Sequence, residues 1–375
     1  MKKLLSVLIA ISLIPLTFCV ETGAAEVSVS ARACALYCAN NGELLYSLNA
    51  DERLPMASTT KLMTALITLE QAVLENSEVT FVPEMFAEGS SMYLQEGEKL
   101  TLDDLAVGML MQSGNDAANA AAIAIAGSME DFADLMNRRA AELGMENTHF
   151  VTPSGLDSDG HYSTARDMAL LLNAAMDNPR FREITGSESM SVSFIEPAGK
   201  SVTYPNHNKL LRLYPDCVGG KTGYTDLAGR CLVTCAERDG LRLIAVTLND
   251  GDDWNDHIAL YDYGFGNYAL YARDMLSYTV PVVGGVADSA VVCGEPSAEL
   301  VLPAGSEDRV GCTVYLPPFL YAPIKRGDCV GRVIYTLDGE IIAEADLISA
   351  DEIDKNDRRR GFFEFLKDLL NWHNR

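Results

Sequence analysis

The sequence predicts an α+β fold followed by a small all-β module. Two strand-like runs, 33–38 and 43–48, flank an Asn40-Asn41-Gly42 turn. Helical periodicity then dominates, with Leu62, Leu66 and Leu69 at i, i+4 and i+7. Beyond about Ser277 that periodicity disappears and short β-type runs alternate with Gly, Pro and Asp.

The elements follow in order. Helix-period residues span 59–72, and Thr101 with Asp104 has the spacing of a capping box for a helix towards Met111. Ser128 opens a helix ending near Gly144, and Ser163 opens another through Met176. Strands are expected at 201–204, 230–236 and 242–248, then a helix over 256–274 interrupted by Gly264 and Gly266. Runs at 280–286, 289–292, 299–302, 312–316 and 332–336 make the second module, a β-sandwich or barrel-like unit.

The two ends read as address and attachment. Lys2 and Lys3, the apolar run 4–20 and the small residues Gly23-Ala24-Ala25 form a secretory leader, with cleavage expected after Ala25. The expected division is therefore a leader over 1–25, a main domain over 26–276, the β module over 277–349 and a tail over 350–375. In the tail, three arginines at 358–360 precede Phe362, Phe363, Phe365, Leu366, Leu369, Leu370 and Trp372 on one helical face. That composition suits a helix lying in the headgroup boundary of a membrane; docking on the β module is the alternative. The tail is too short to span, since a span takes about 20 residues.

The chain has 375 residues and a net charge of −24. Such acidity argues against nucleic acid as a partner. Eight cysteines follow the leader. Cys34/Cys38 and Cys231/Cys235 are spaced i, i+4 in strands, about 13 Å apart and too far to bridge within each pair. Buried thiols are expected; bridges between strands or within the β module stay open. The five histidines show no metal-binding spacing, no C-x-x-C is present, and no cofactor is expected.

Chemistry is concentrated in three short motifs. Ser58 stands three residues before Lys61 at a helix start, Ser113-Gly114-Asn115 lies between two helical stretches, and Lys221-Thr222-Gly223 precedes a strand. A serine hydroxyl needs a base beside it, and i, i+3 places Ser58 and Lys61 on one helix face. Lysine works as that base only when burial or a second cation such as Lys221 destabilises its charge. Ser113 then serves as a proton relay aimed at both lysines, and the Asn115 amide can hold Lys61 together with a substrate amide. Lys221 and Thr222 suit a carboxylate, while Gly223 leaves room for a peptide laid along an edge strand. The N–H groups of Ser58 and Tyr224 are the candidate oxyanion donors. Each motif alone is weak; a surface helix start or a β-turn explains it as well. Their ordered recurrence is the signal.

With these motifs placed, the chain resembles the low-molecular-weight penicillin-binding proteins of the serine-type D-alanyl-D-alanine carboxypeptidase family. Gly89-Ser90-Ser91-Met92, Asn115-Asp116-Ala117-Ala118, Pro153-Ser154-Gly155-Leu156-Asp157, the run from Ser163 to Ala169 and Asp262-Tyr263-Gly264-Phe265 extend the likeness over about 30–275. The resemblance implies an antiparallel sheet with flanking helices and a helical lobe. It implies that Ser58 is acylated, that Lys61 is the base, and that peptidoglycan stem peptides and β-lactam antibiotics are the partners. It also implies action at the outer face of the bacterial cytoplasmic membrane, as a peripheral protein. Two departures stand out: Tyr224 replaces a histidine found in some members, and no arginine follows the strand ending near Leu248. A D,D-endopeptidase, a β-lactamase of the same fold and a non-catalytic wall-binding relative are the alternative readings.

Overall fold

The computed structural model describes residues 27–272, 276–294 and 299–356. The expected leader and the aromatic tail at 358–375 lie outside the described residues. The main domain runs β1 (Ala33–Cys38), β2 (Glu43–Leu48), α1 (Lys61–Leu74), β3 (Glu78–Thr80), β4 (Lys99–Thr101), α2 (Leu102–Met111), α3 (Asn115–Ala126), α4 (Met129–Glu142), α5 (Ala165–Met176) and α6 (Pro179–Gly186). It continues with β5 (Ser189–Ser193), β6 (Ser201–Pro205), α7 (Leu210–Leu213), β7 (Cys217–Thr225), β8 (Gly229–Arg238), β9 (Leu241–Asp250) and α8 (Asp253–Asn267).

Five strands form one antiparallel sheet in the order β2-β1-β9-β8-β7. Its three inner strands are apolar on both faces, because both faces are covered. Residues of one parity, such as Ala33, Ala35, Val233, Ile244 and Val246, join a large core shared with α1 to α5. Those of the other parity, such as Leu36, Leu232, Leu243 and Ala245, pack on Leu260 and Tyr261 of α8. On α2, Asp104 N donates to Thr101 Oγ1 at 3.1 Å and Thr101 N donates to Asp104 Oδ2 at 3.3 Å, a complete capping box.

The second module holds β10 (Tyr268–Tyr271), β11 (Ser277–Val283), β12 (Ser289–Gly294), β13 (Leu300–Pro303), β14 (Val310–Tyr315), β15 (Leu320–Tyr321), β16 (Cys329–Leu337) and β17 (Glu340–Ser349). Six of these form a sheet in the order β14-β16-β17-β12-β11-β15, with a separate core around Val280, Val292, Val333, Tyr335 and Leu347. β10 pairs with β13, so this module begins directly at the end of α8.

The α+β class with an all-β appendage is as the sequence predicts. Three local expectations are corrected. The helix over 256–274 begins at Asp253 and stops at Asn267, because Tyr268, Leu270 and Tyr271 are drawn into pairing with β13. The helix expected from Ser163 is capped by Thr164, whose side chain accepts from Asp167 N. Ser58 lies in a 3-10 turn over Ala57–Thr60 rather than beside an α-helix starting at Thr59. The thiol expectation divides by module: Cys34, Cys38, Cys217, Cys231 and Cys235 are buried, whereas Cys293 and Cys312 are half-buried and Cys329 is exposed, all unbridged.

Replacing Thr101 with alanine removes the capping oxygen. We expect a loss of about 1 kcal/mol, read as a lower urea midpoint with an unchanged slope.

Candidate active site

Ser58, the candidate nucleophile, is positioned by a strained turn. Ala57 holds φ +48, and Thr59 returns both its N–H (3.2 Å) and its hydroxyl (2.6 Å) to Met56 O. A 3-10 turn has three residues per turn, so residues three apart eclipse. Ser58 and Lys61 are therefore brought to one side more directly than an α-helix would bring them. Behind the turn, Gly155 has φ +82, and a Cβ there would fall 2.0 Å from Ala57 O. Only glycine lets the 153–156 loop approach this closely. Below it, His161 Nδ1 accepts Val151 N at 2.9 Å, which leaves Nε2–H to donate to Thr60 Oγ1 at 2.9 Å. Burial holds this imidazole neutral, with its pKa at about 4. It props the turn and does no acid–base work at neutral pH.

Lys61 is fully buried and meets three oxygens: Ser58 Oγ at 2.9 Å, Asn115 Oδ1 at 2.6 Å and Ser154 O at 2.5 Å. Burial first, and then the charge of Lys221, push its pKa well below the usual lysine value; Asp116 opposes this. A neutral amine has two N–H donors and one lone pair. Asn115 Oδ1 and the Ser154 carbonyl are acceptors only, so they take the two hydrogens. The lone pair is left for the Ser58 hydroxyl proton, which is the geometry of a general base.

Asn115 is fixed in turn. Its Nδ2 donates to Glu88 O at 2.6 Å and its backbone N to Ser90 O at 2.8 Å. One of its amide hydrogens is thus already committed, so its role towards Lys61 is better defined than any role towards substrate. The supporting 88–94 loop is tied by Asp116, which accepts from Met92 N, Ser91 Oγ and Leu94 N.

A second lysine–serine pair lies alongside. Ser113 has φ +60 between α2 and α3, and its Oγ accepts from Lys221 Nζ at 3.1 Å. Lys221 also donates to Thr222 O at 2.8 Å. Ser113 was expected to face both lysines, yet among the described residues its hydroxyl is bonded to Lys221, while Ser154 O completes the shell of Lys61. Burial lowers the Lys221 pKa to about 7.

Lys221, Thr222 and Gly223 lie on β7, the free edge of the sheet. A Cβ at Gly223 would fall 3.0 Å from Thr59 N and 3.1 Å from Ser58 N. The N–H of Ser58 and the backbone leading to Tyr224 N are therefore neighbours, as the two candidate oxyanion donors must be. The Tyr224 ring is exposed, and its hydroxyl donates to Asp226 Oδ1 at 3.1 Å.

The structure thus brings Ser58, Lys61, Ser113, Asn115, Lys221 and the Thr222–Gly223 backbone together. The contributions of Glu88 O, Ser90 O and Ser154 O are backbone groups that no residue letter announces. Asp116 and Ser154 do stand inside the segments that carry the family likeness. Among the described residues, no group of three or more His, Cys, Asp or Glu is placed to hold a metal ion.

Known proteins resemble this chain over most of its length. The family model described as D-alanyl-D-alanine carboxypeptidase matches residues 20–252, and that described as penicillin-binding protein 5, C-terminal domain, matches 265–355. The chain is 32% identical to the D-alanyl-D-alanine carboxypeptidase DacF of Bacillus subtilis, over 98% of this chain and 97% of that one. It is 33% identical to DacC of Escherichia coli, over 95% and 91%. Penicillin-binding protein 5 from Haemophilus influenzae superposes with a TM-score of 0.71 at 29% identity, over 88% of this chain and 98% of that one.

Burying Lys221 has a cost that sets a pH dependence. Its folded pKa of about 7 lies below the ordinary 10.5, so between those values the unfolded chain binds more protons. Stability contributed here rises with pH through that window and is lowest below about 7. We expect Lys221→Met to raise stability at pH 6 by at least about 1 kcal/mol, the equivalent of one pKa unit. The gain should shrink towards pH 10 in parallel thermal melts, and the variant should no longer react with penicillin.

Proposed function

The chain belongs to the D-alanyl-D-alanine carboxypeptidase family and is a serine-type hydrolase; from that premise we propose how its own residues carry the reaction. The substrate is a peptidoglycan stem peptide ending in D-alanyl-D-alanine. Lys61, neutral in the ground state, takes the Ser58 proton as Ser58 Oγ adds to the carbonyl of the penultimate residue. The oxyanion is received by the N–H groups of Ser58 and Tyr224. Collapse of the adduct breaks the C–N bond, and the leaving amine of D-alanine takes the proton that Lys61 received from Ser58, with Ser113 as the relay, so that Lys61 is neutral again. Water then attacks the acyl–Ser58 ester, with Lys61 again accepting a proton; the acyl C–O bond breaks, Ser58 Oγ takes that proton back from Lys61, and the shortened peptide is released. Lys221 and Thr222 meet the terminal carboxylate. A β-lactam acylates the same Ser58.

The observation that carries this reading is the three-oxygen shell of Lys61, in which one of the three is the Ser58 hydroxyl itself. Export through the leader and peripheral attachment at the outer face of the cytoplasmic membrane, through 358–375, are part of the same proposal. Among the described residues no helix is long and apolar enough to cross a membrane, and the three arginines ahead of an aromatic stripe support the peripheral form of contact.

Ser58→Ala should abolish both the mass increase of the intact protein on incubation with benzylpenicillin and the release of D-alanine from a pentapeptide. Lys61→Ala should slow acylation by about 10²–10⁴-fold while the fold is retained by circular dichroism. Normal labelling of either variant refutes the assignment. Removing 358–375 should shift the mature protein from pelleted anionic vesicles to the supernatant without changing its soluble activity; continued pelleting refutes the tail as anchor.

A further inference from the structure

The proposed reaction leaves one electrostatic demand unmet. A peptide ending in a carboxylate brings a full negative charge to β7. Lys221 is a poor sole partner for it: the amine is buried, is bonded to Ser113 Oγ and Thr222 O, and with a pKa of about 7 is only partly charged at neutral pH. Arginine keeps its charge at any pH near neutral and presents a planar fork that fits a carboxylate.

One guanidinium is built into this corner of the sheet. Arg230 stands on β8, and the β7–β8 register pairs it with Tyr224, with Thr222 opposite Leu232. Side chains alternate faces along a strand, so Thr222, Tyr224 and Arg230 share a face. Arg230 and Thr222 are diagonal neighbours, a separation of about 7–8 Å that a long side chain spans. The guanidinium is held rather than free: Nη2 donates to Oδ1 of the buried Asp253, at the start of α8, and the Trp254 ring centroid lies 5.9 Å from Cζ. It nevertheless remains 43% exposed, so its other donors are open to a ligand. Asp253 ends, and Trp254 follows, the 249–253 segment, where some members of the resembling family carry an arginine and this chain has none.

We propose that Arg230, oriented by Asp253 and Trp254, is the permanent cation that recognises the free terminal carboxylate of the substrate, and so a specificity-determining residue of this enzyme. The inference rests on the peptidase reading above. Lys221 and Thr222 meet the carboxylate from the edge strand, and Arg230 meets it from one strand further in. No other part of the catalytic cycle depends on Arg230.

The test compares two substrates, one peptide ending in D-alanyl-D-alanine with a free carboxylate and the same peptide with a terminal carboxamide. In the wild type the free acid should be strongly preferred. Arg230→Gln should lower kcat/KM for the free acid by about tenfold or more, chiefly through KM, and leave the carboxamide almost unchanged. Arg230→Lys should recover only part of the preference. Because Arg230→Gln strands the buried Asp253 carboxylate, the double variant Arg230→Gln/Asp253→Asn removes that charge too. It should be folded and show the same collapsed preference. An unchanged acid-to-amide ratio in the folded double variant, or an equal fall for both substrates, overturns the proposal. Failure of the peptidase reading is distinguished by the wild type alone, which would then release no D-alanine and would not be acylated by penicillin.

Discussion

The site depends on an amine whose charge is disfavoured. Lys61 lies where water does not reach, beside a second buried lysine, and among the described residues no carboxylate is bonded to it. In that surrounding the neutral form is favoured, and the neutral form has just enough hydrogens for Asn115 Oδ1 and Ser154 O. Everything nearby serves this arrangement. The 3-10 turn brings the Ser58 hydroxyl to the lone pair, Glu88 O and Ser90 O fix Asn115, and Gly155 lets the loop carrying Ser154 approach. A charged Lys61 would donate to all three oxygens and would have no lone pair to take the serine proton.

The sheet supplies the other half of the geometry. β7 is an edge strand, and an edge exposes backbone groups with which a peptide can pair. Gly223 is where that edge meets the nucleophile turn, and a side chain there would press on Ser58 N and Thr59 N. Burial of α8 against the opposite face brings Asp253 and Trp254 to Arg230. The two faces of one sheet therefore differ: Lys221 and Gly223 face the Ser58 turn, and Arg230 lies on the face that α8 covers.

Much of this was legible in the sequence because it is local. Ser58 and Lys61 are three residues apart, Thr101 and Asp104 form their cap within one turn, and the apolar runs at 230–236 and 242–248 carry the period of strands. What was not legible depends on distant partners. The carbonyls of Ser154 and Glu88 act through the backbone, so their residue types say nothing of it. Tyr268–Tyr271 continues a helical pattern and becomes a strand only because Leu300–Pro303 is there to pair with it. Ser113, whose Oγ accepts from Lys221, sits at a positive φ that a serine does not advertise. Arg230 stands outside all three motifs, and its nearness to Thr222 appears only once the β7–β8 register is known.

The protonation state of Lys61 is the central claim, and carbon NMR of protein labelled at lysine Cε reads it directly. With Lys61→Ala used for assignment, the Lys61 resonance should have the chemical shift of a neutral amine at pH 7 and should titrate well below 10.5. A resonance that stays in its charged position at pH 7 and titrates near 10.5 would contradict the account.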